Sequence, residues 1–173
     1  MNLKIIDDDG FIAIVNSANY QGFVDDDWQL DQLMSHFVNH MNQGNIIVWQ
    51  TSNDGGGNWS VSSQEYPSNT HAFRQFEQNI NVTTGELFLT NYSDLTMAAQ
   101  FSEASIPATH NADLKIVLKN GLYKVTVRQL FDPDTHMNHF DSERNEDISF
   151  EIVFTPTTES QNQQVSSVYW RKF

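Results

Sequence analysis

Cysteine is absent from all 173 residues, which excludes disulfide staples and thiolate metal centres. Basic residues are scarce, with nine Lys and Arg against twenty-two Asp and Glu, a net charge of −13. That balance disfavours nucleic acid as a direct ligand, because a phosphate backbone would be repelled. A basic protein partner would instead be attracted and steered. No stretch approaches the roughly 18 apolar residues of a membrane-spanning helix. The opening Met1-Asn2-Leu3-Lys4, followed by Asp7, Asp8 and Asp9, lacks the basic-then-apolar order of a signal peptide, so cytoplasm is the expected compartment. Neither internal repeats nor a long linker divide the chain. Catalytic signatures are missing too. There is no Gly-x-Ser-x-Gly elbow, and Asp54-Gly55-Gly56-Gly57 leads into a strand rather than the helix N-terminus that would receive phosphate.

What remains is bulk for a core and polarity suited to strands. Twelve Phe, five Tyr and four Trp accompany a 39% hydrophobic share, while only 18% of residues are charged. The polarity comes from Asn, Gln, Ser and Thr, a mix that favours strands and turns over a helical bundle. A chain of this length fits one domain, 1–173, and typically buries about 70% of the surface its unfolded form exposes. The charge is unevenly spread. Residues 1–31 hold seven acids against Lys4, and residues 132–151 hold seven against Arg144.

Periodicity predicts one helix over about 27–43. Leu30, Leu33, Met34, Phe37, Val38 and Met41 form a single apolar stripe. Asp25, Asp26 and Asp27 precede it as N-cap candidates, and Gly44 follows it as a stop. Strands are expected at Lys4 to Ile6 and Phe11 to Val15, joined by the turn Asp7 to Gly10 as a hairpin. A second hairpin is expected between Asn45–Thr51 and the strand resuming at Trp59. The third is centred on Asn120-Gly121, where positive φ at both central residues makes the turn. In that register Leu118, Ile116 and Leu114 pair with Tyr123, Val125 and Val127, and Asp113 meets Arg128. Residues 148–154 alternate as a further strand. Val168-Tyr169-Trp170 is expected as the last. Residues 65–82 mix helical and strand cues, and 95–111 show no period. The tail 157–167, rich in Thr, Ser and Gln, reads as a mobile segment. The sum is a mainly β, α+β architecture: an antiparallel β-sandwich with one packed amphipathic helix.

Three groups of side chains are candidates for chemistry. Asp132, Asp134, His136, His139 and Asp141 crowd one segment, and His36 and His40 lie four apart on the expected helix. Oxygen and imidazole donors so placed suit a divalent ion. The calcium-loop reading puts Asp132, Asp134, His136 and Asn138 at the first ligand positions and Glu143 at the last, but Met137 stands where that loop needs Gly. The zincin pattern needs Glu directly after the first His, where Phe37 stands. A solvated acidic loop accounts for 132–141 without any ion. Trp28, Trp49, Trp59 and Trp170 suit a sugar-binding face in a carbohydrate-binding or structural sandwich, and equally suit half-buried strands.

The stretch Leu118-Lys119-Asn120-Gly121-Leu122-Tyr123-Lys124-Val125-Thr126-Val127, with Ile148 to Phe154 after it, resembles the C-terminal half of small bacterial β-sandwich proteins. These are the competence-associated inhibitors of a DNA-entry nuclease and some toxin-immunity proteins. The resemblance covers about forty residues and implies an acidic protein that blocks a basic nuclease. The expectation is therefore a binding protein rather than an enzyme. Asp25, Asp26, Asp27, Asp132, Asp134, Asp141 and Glu143 would meet a cationic partner, with no cofactor. The alternative is a metal-binding domain or metal-dependent hydrolase using His136, His139, Asp132 and Asp134.

Overall fold

A computed structural model describes residues 1–135, 147–160 and 164–172. The strands are β1 (Asn2–Asp7), β2 (Phe11–Val15), β3 (Ile46–Gln50), β4 (Gly57–Gln64), β5 (Arg74–Val82), β6 (Glu86–Asn91), β7 (Lys115–Val117), β8 (Gly121–Gln129) and β9 (Phe150–Pro156). Two α-helices accompany them, α1 (Leu30–Asn42) and α2 (Tyr92–Gln100). One sheet has the order β1-β4-β9-β8-β5 and the other β3-β2-β6-β7. The mainly β, α+β class is what the sequence indicates. The sheets are not wholly antiparallel, because β4 and β9 run parallel, their connection being long enough to bring the chain back.

Three strands of the four-stranded sheet, β2, β3 and β6, are buried on both faces, and their sequences explain why. In β2, Ile12 and Ile14 point into the core between the sheets, while Ala13 and Val15 point into a second core beneath the helices. In β3, Ile47 and Trp49 join the first core and Ile46 and Val48 the second. Leu87, Leu89 and Phe88 divide in the same way on β6. Continuous apolar runs are what such strands need, since a polar residue on either face would be stranded from water.

Leu33, Met34, Phe37 and Met41 of α1 fill the second core. The helix begins at Leu30, later than expected. Gln29 and Gln32 cap it reciprocally, and the upstream aspartates do not. Gly44, at φ 74°, ends it as expected. A second helix, α2, occupies part of the segment in which no period is visible. Asn91 caps it by accepting from the Asp94 N–H at 2.9 Å, but its buried face is only Leu95, Ala98 and Ala99 with Asp94. Two alanines give a weak apolar stripe, so the pattern stays hidden.

None of the three expected hairpins forms. β1 pairs with β4 while β2 pairs with β3 and β6, so the turn between them crosses from one sheet to the other. The β3–β4 loop crosses likewise. At Asn120-Gly121, β7 pairs with β6 and β8 pairs with β5 and β9. Leu114, Ile116, Tyr123, Val125 and Val127 do share one core, but they meet across it from opposite sheets. One-sided apolar alternation is satisfied equally by lateral pairing and by face-to-face packing. The partners that decide between them lie far away in sequence. Residues 65–82 resolve into a loop followed by β5. Val168-Tyr169-Trp170 docks through a single bridge between Tyr169 and Trp49, with Tyr169 stacked on Phe76 at 3.7 Å.

Two acids hold these corners. Asp7 is fully buried where the chain crosses from β1 to β2. Its carboxylate accepts the N–H groups of Asp9, Gly10 and Phe11 and the Thr51 hydroxyl. Burial nevertheless pushes its pKa up, against the pull of those bonds. A Cβ on Gly56 would lie 1.6 Å from the Asp7 carbonyl oxygen, so the β3–β4 loop passes too close here for any side chain. On the outer face of the five-stranded sheet Arg128 and Glu151, cross-strand partners on β8 and β9, form a buried ion pair. The expected Asp113–Arg128 pair is thereby excluded. Arg128 also donates to the Ser68 and Thr70 carbonyls, which lays the β4–β5 loop over the sheet. Burial alone would raise the Glu151 pKa. Hydrogen bonds from Ser68 and Gln64, with the Arg128 charge, overcome it and hold the carboxyl below its usual range.

Removing one partner of this pair leaves the other charge buried. Glu151→Ala is expected to cost about 3–5 kcal/mol in urea unfolding, and the double change Arg128→Met with Glu151→Leu to recover most of it. Because the folded-state pKa of Glu151 is depressed, its contribution is full above the unfolded carboxyl value of 4.5 and fades as pH falls below it. The Glu151→Ala profile should therefore be flatter on acidification.

Candidate protein-binding surface

Lys and Arg are missing from residues 5–73 and from 75–114, whereas Lys115, Lys119, Lys124 and Arg128 fall within fourteen positions. The fold turns this linear imbalance into two differently charged faces. In the layer over the four-stranded sheet, residues 16–45 and 91–114 carry seven acids and no Lys or Arg, while the C-terminal segment that packs there through Val165 and Val168 brings Arg171 and Lys172. The four clustered cations lie on β7, β8 and the turn between them. Three of them, Lys119, Lys124 and Arg128, line a cleft of about 1030 Å³ that also takes in Tyr66, Glu77 and Thr155. Lys124 is partly neutralised there by Glu77, and Lys115, outside the cleft, by Glu86, each at 3.7 Å.

Asp25, Asp26 and Asp27 are exposed on the segment leading to α1. That segment lies against the end of α2, where the N–H groups of Val24 and Asp25 both donate to the Ala99 carbonyl, at 2.9 and 3.2 Å. A Cβ on Gly22 would sit 2.8 Å from the Ala98 Cβ, so only glycine permits this approach. Asp25 then accepts the Asp27 N–H at 3.0 Å. None of the three aspartates joins a salt bridge among the described residues. Their charges are left to solvent or to a partner.

The second acidic segment is placed elsewhere. Asp132 is half-buried and Asp134 exposed, on a short 3-10 turn spanning Pro133–Thr135. Asp134 accepts both the backbone N–H and the side-chain amide of Asn53. Both aspartates face the Arg74 guanidinium, whose pKa burial lowers and their charges raise. Arg74 also lies 4.2 Å from the Trp170 ring centroid. These acids are thus engaged within the fold. Glu151, counted with them in the sequence, is buried under Arg128. His136, His139, Asp141 and Glu143 lie outside the described residues.

Among the described residues no group of three His, Asp or Glu is arranged to hold a metal ion. His36 and His40 do share one helix face, with ring centroids 4.6 Å apart and Tyr20 edge-on to both. His36 Nε2 donates to the Gln21 carbonyl at 2.6 Å, and His40 Nδ1 accepts from the Asn45 amide at 3.1 Å. Burial lowers both pKa values, and the neighbouring His36 takes His40 further, to about 4. Of the tryptophans, Trp49 and Trp59 are fully buried and Trp28 packs on the helix-side core, so they form no exposed sugar platform.

Phe23, Met97 and Phe101, which the sequence reading did not single out, are exposed, Phe23 just before the aspartates and the other two at the end of α2 on which that segment packs. The available signal was the long absence of Lys and Arg around them, not any periodicity.

No family model matches the chain, and no curated protein matches it. Among solved structures it is similar to crocagin biosynthetic gene J, with TM-score 0.60 and 12% identity over 90% of this chain and 95% of that one. It also resembles ComJ, inhibitor of the DNA degrading activity of NucA, from Bacillus subtilis. There the TM-score is 0.49 and the identity 10%, over 91% of this chain and 96% of that one. At such identities the first likeness shows a shared fold. The second is the weak resemblance that the β8 region suggests. No helix among the described residues is long and apolar enough to cross a membrane.

The histidine pair makes stability depend on pH. A folded-state pKa of about 4 against 6.5 unfolded means that the unfolded chain takes up the proton first as pH falls. The contribution is full above 6.5 and is lost progressively down to about 4. His40→Gln is expected to flatten the decline in urea midpoint across that window, an outcome read from denaturation curves at several pH values.

Proposed function

We propose that this chain is an acidic binding protein of the inhibitor or immunity kind, which covers the surface of a basic toxin or nuclease. The supporting observation is the sorting of charge by the fold. Residues 16–45 and 91–114, over the four-stranded sheet, lack Lys and Arg, and the exposed Asp25, Asp26 and Asp27 there join no ion pair among the described residues. Complementary charge steers encounter and rejects wrong partners, and its effect weakens as salt screens it. Blocking a basic protein needs a rigid acidic face, which a strand-and-helix scaffold supplies without any catalytic group.

The partner that co-purifies with the full chain from its native cells is expected to be basic. Its affinity is expected to fall about tenfold or more between roughly 0.05 and 0.3 M salt, as measured by titration calorimetry. An acidic partner, or an affinity indifferent to salt, would overturn the proposal.

A further inference from the structure

We infer that the docking surface is the end of α2 together with the segment 22–25 laid against it, and that its occupant is a protein presenting an apolar contact ringed by Lys or Arg. This rests on the binding-protein reading above and names the face that performs it. Phe23, Met97 and Phe101 are 45%, 53% and 40% exposed. Met97 and Phe101 are one helical turn apart, joined by the Phe101 N–H to the Met97 carbonyl at 3.0 Å. Phe23 is held beside them by the Gly22 approach to Ala98 and the Val24 bond to Ala99. Val24 packs on the helix-side core, while its neighbour Phe23 is exposed. These three exposed apolar side chains lie where the 22–25 segment meets the end of α2, and Asp25, Asp26, Asp27 and Glu103 are exposed just beyond them in the chain. Apolar anchors inside a charged rim are how protein interfaces concentrate affinity at the centre and selectivity at the edge.

The helix end adds an argument independent of the charge count. The C-terminus of α2 carries the negative end of its dipole, where a cation is favoured. Its last turn has no basic residue, and the segment packed against it brings Asp25, whose N–H is bonded to the Ala99 carbonyl. Intrinsic stability would be served by Lys or Arg here. The local field instead favours a positive charge supplied from outside the chain. The opposite face differs in charge: its exposed apolar Tyr66 and Val117 line a cleft with Lys119, Lys124 and Arg128 beside Glu65 and Glu77.

The test uses the full chain with photoreactive benzoylphenylalanine at position 23 or 101, and at 117 or 155 as controls on the other face, irradiated in the native cells. Adducts are identified by mass spectrometry, and the cross-linked protein is then purified and titrated. Crosslinking from 23 and 101 to a basic protein is expected. Binding of that protein should weaken about tenfold or more, which is about 1.4 kcal/mol, in both Phe23→Ala/Phe101→Ala and Asp25→Asn/Asp26→Asn/Asp27→Asn. Because these side chains are exposed, unchanged circular dichroism is expected to confirm that both variants fold. Adducts from 117 or 155 alone, or unweakened binding in either folded variant, would overturn the surface while leaving the binding role standing. No specific adduct from any position, with no co-purifying protein, would overturn the binding role itself.

Discussion

The constraint on which the structure depends is the burial of β2, β3 and β6 from both sides. Strands of Ile, Val, Leu and Phe with almost no polar interruption cannot leave either face in water. The five-stranded sheet covers one face and the helices cover the other. Both helices are therefore fixed on their inner side, and whatever they carry outward is held rigidly. The apolar side chains of α2 and of the residue after it divide accordingly, with Leu95, Ala98 and Ala99 inside and Met97 and Phe101 outside.

Against this frame, acids serve two different purposes. Asp7 and Glu151 are structural. One gathers the backbone N–H groups of a sheet-crossing turn, and the other joins Arg128 in clamping the β4–β5 loop. Asp132 and Asp134 face Arg74, and Asp134 is bonded to Asn53. Asp25, Asp26 and Asp27 make no comparable contacts with cations and come just after the exposed Phe23 in the chain. An inhibitor that approached through Asp132 and Asp134 would first have to displace internal partners. One that approached through Asp25 to Asp27 would not.

The composition, the α1 stripe and the apolar faces of β2, β7 and β8 were legible in the sequence because each depends on local periodicity. Strand pairing was not, since Leu118 and Tyr123 present the same alternation whether they lie side by side or across a core. Which arrangement forms depends on β5, β6 and β9, whose contributions lie at long sequence separation. α2 escaped notice because alanines at 98 and 99 bury little apolar bulk. On the surface, the acids of 1–31 include the Asp25 to Asp27 run that borders the proposed face. The distinction between Asp7, which is consumed internally, and Asp25 to Asp27, which are free to meet a partner, needed the hydrogen bonds. Counting acids alone made Glu151 look like part of a patch, when its role is to hold Arg128.

The most direct test of the claim that the helix-side face receives a basic protein is backbone amide hydrogen exchange on the full chain, free and saturated with its native partner. The account predicts slowed exchange at residues 22–31 and 97–103, with β8 and β9 unchanged. Slowing confined to 116–128 and 150–156, with the helix side unaltered, would contradict it.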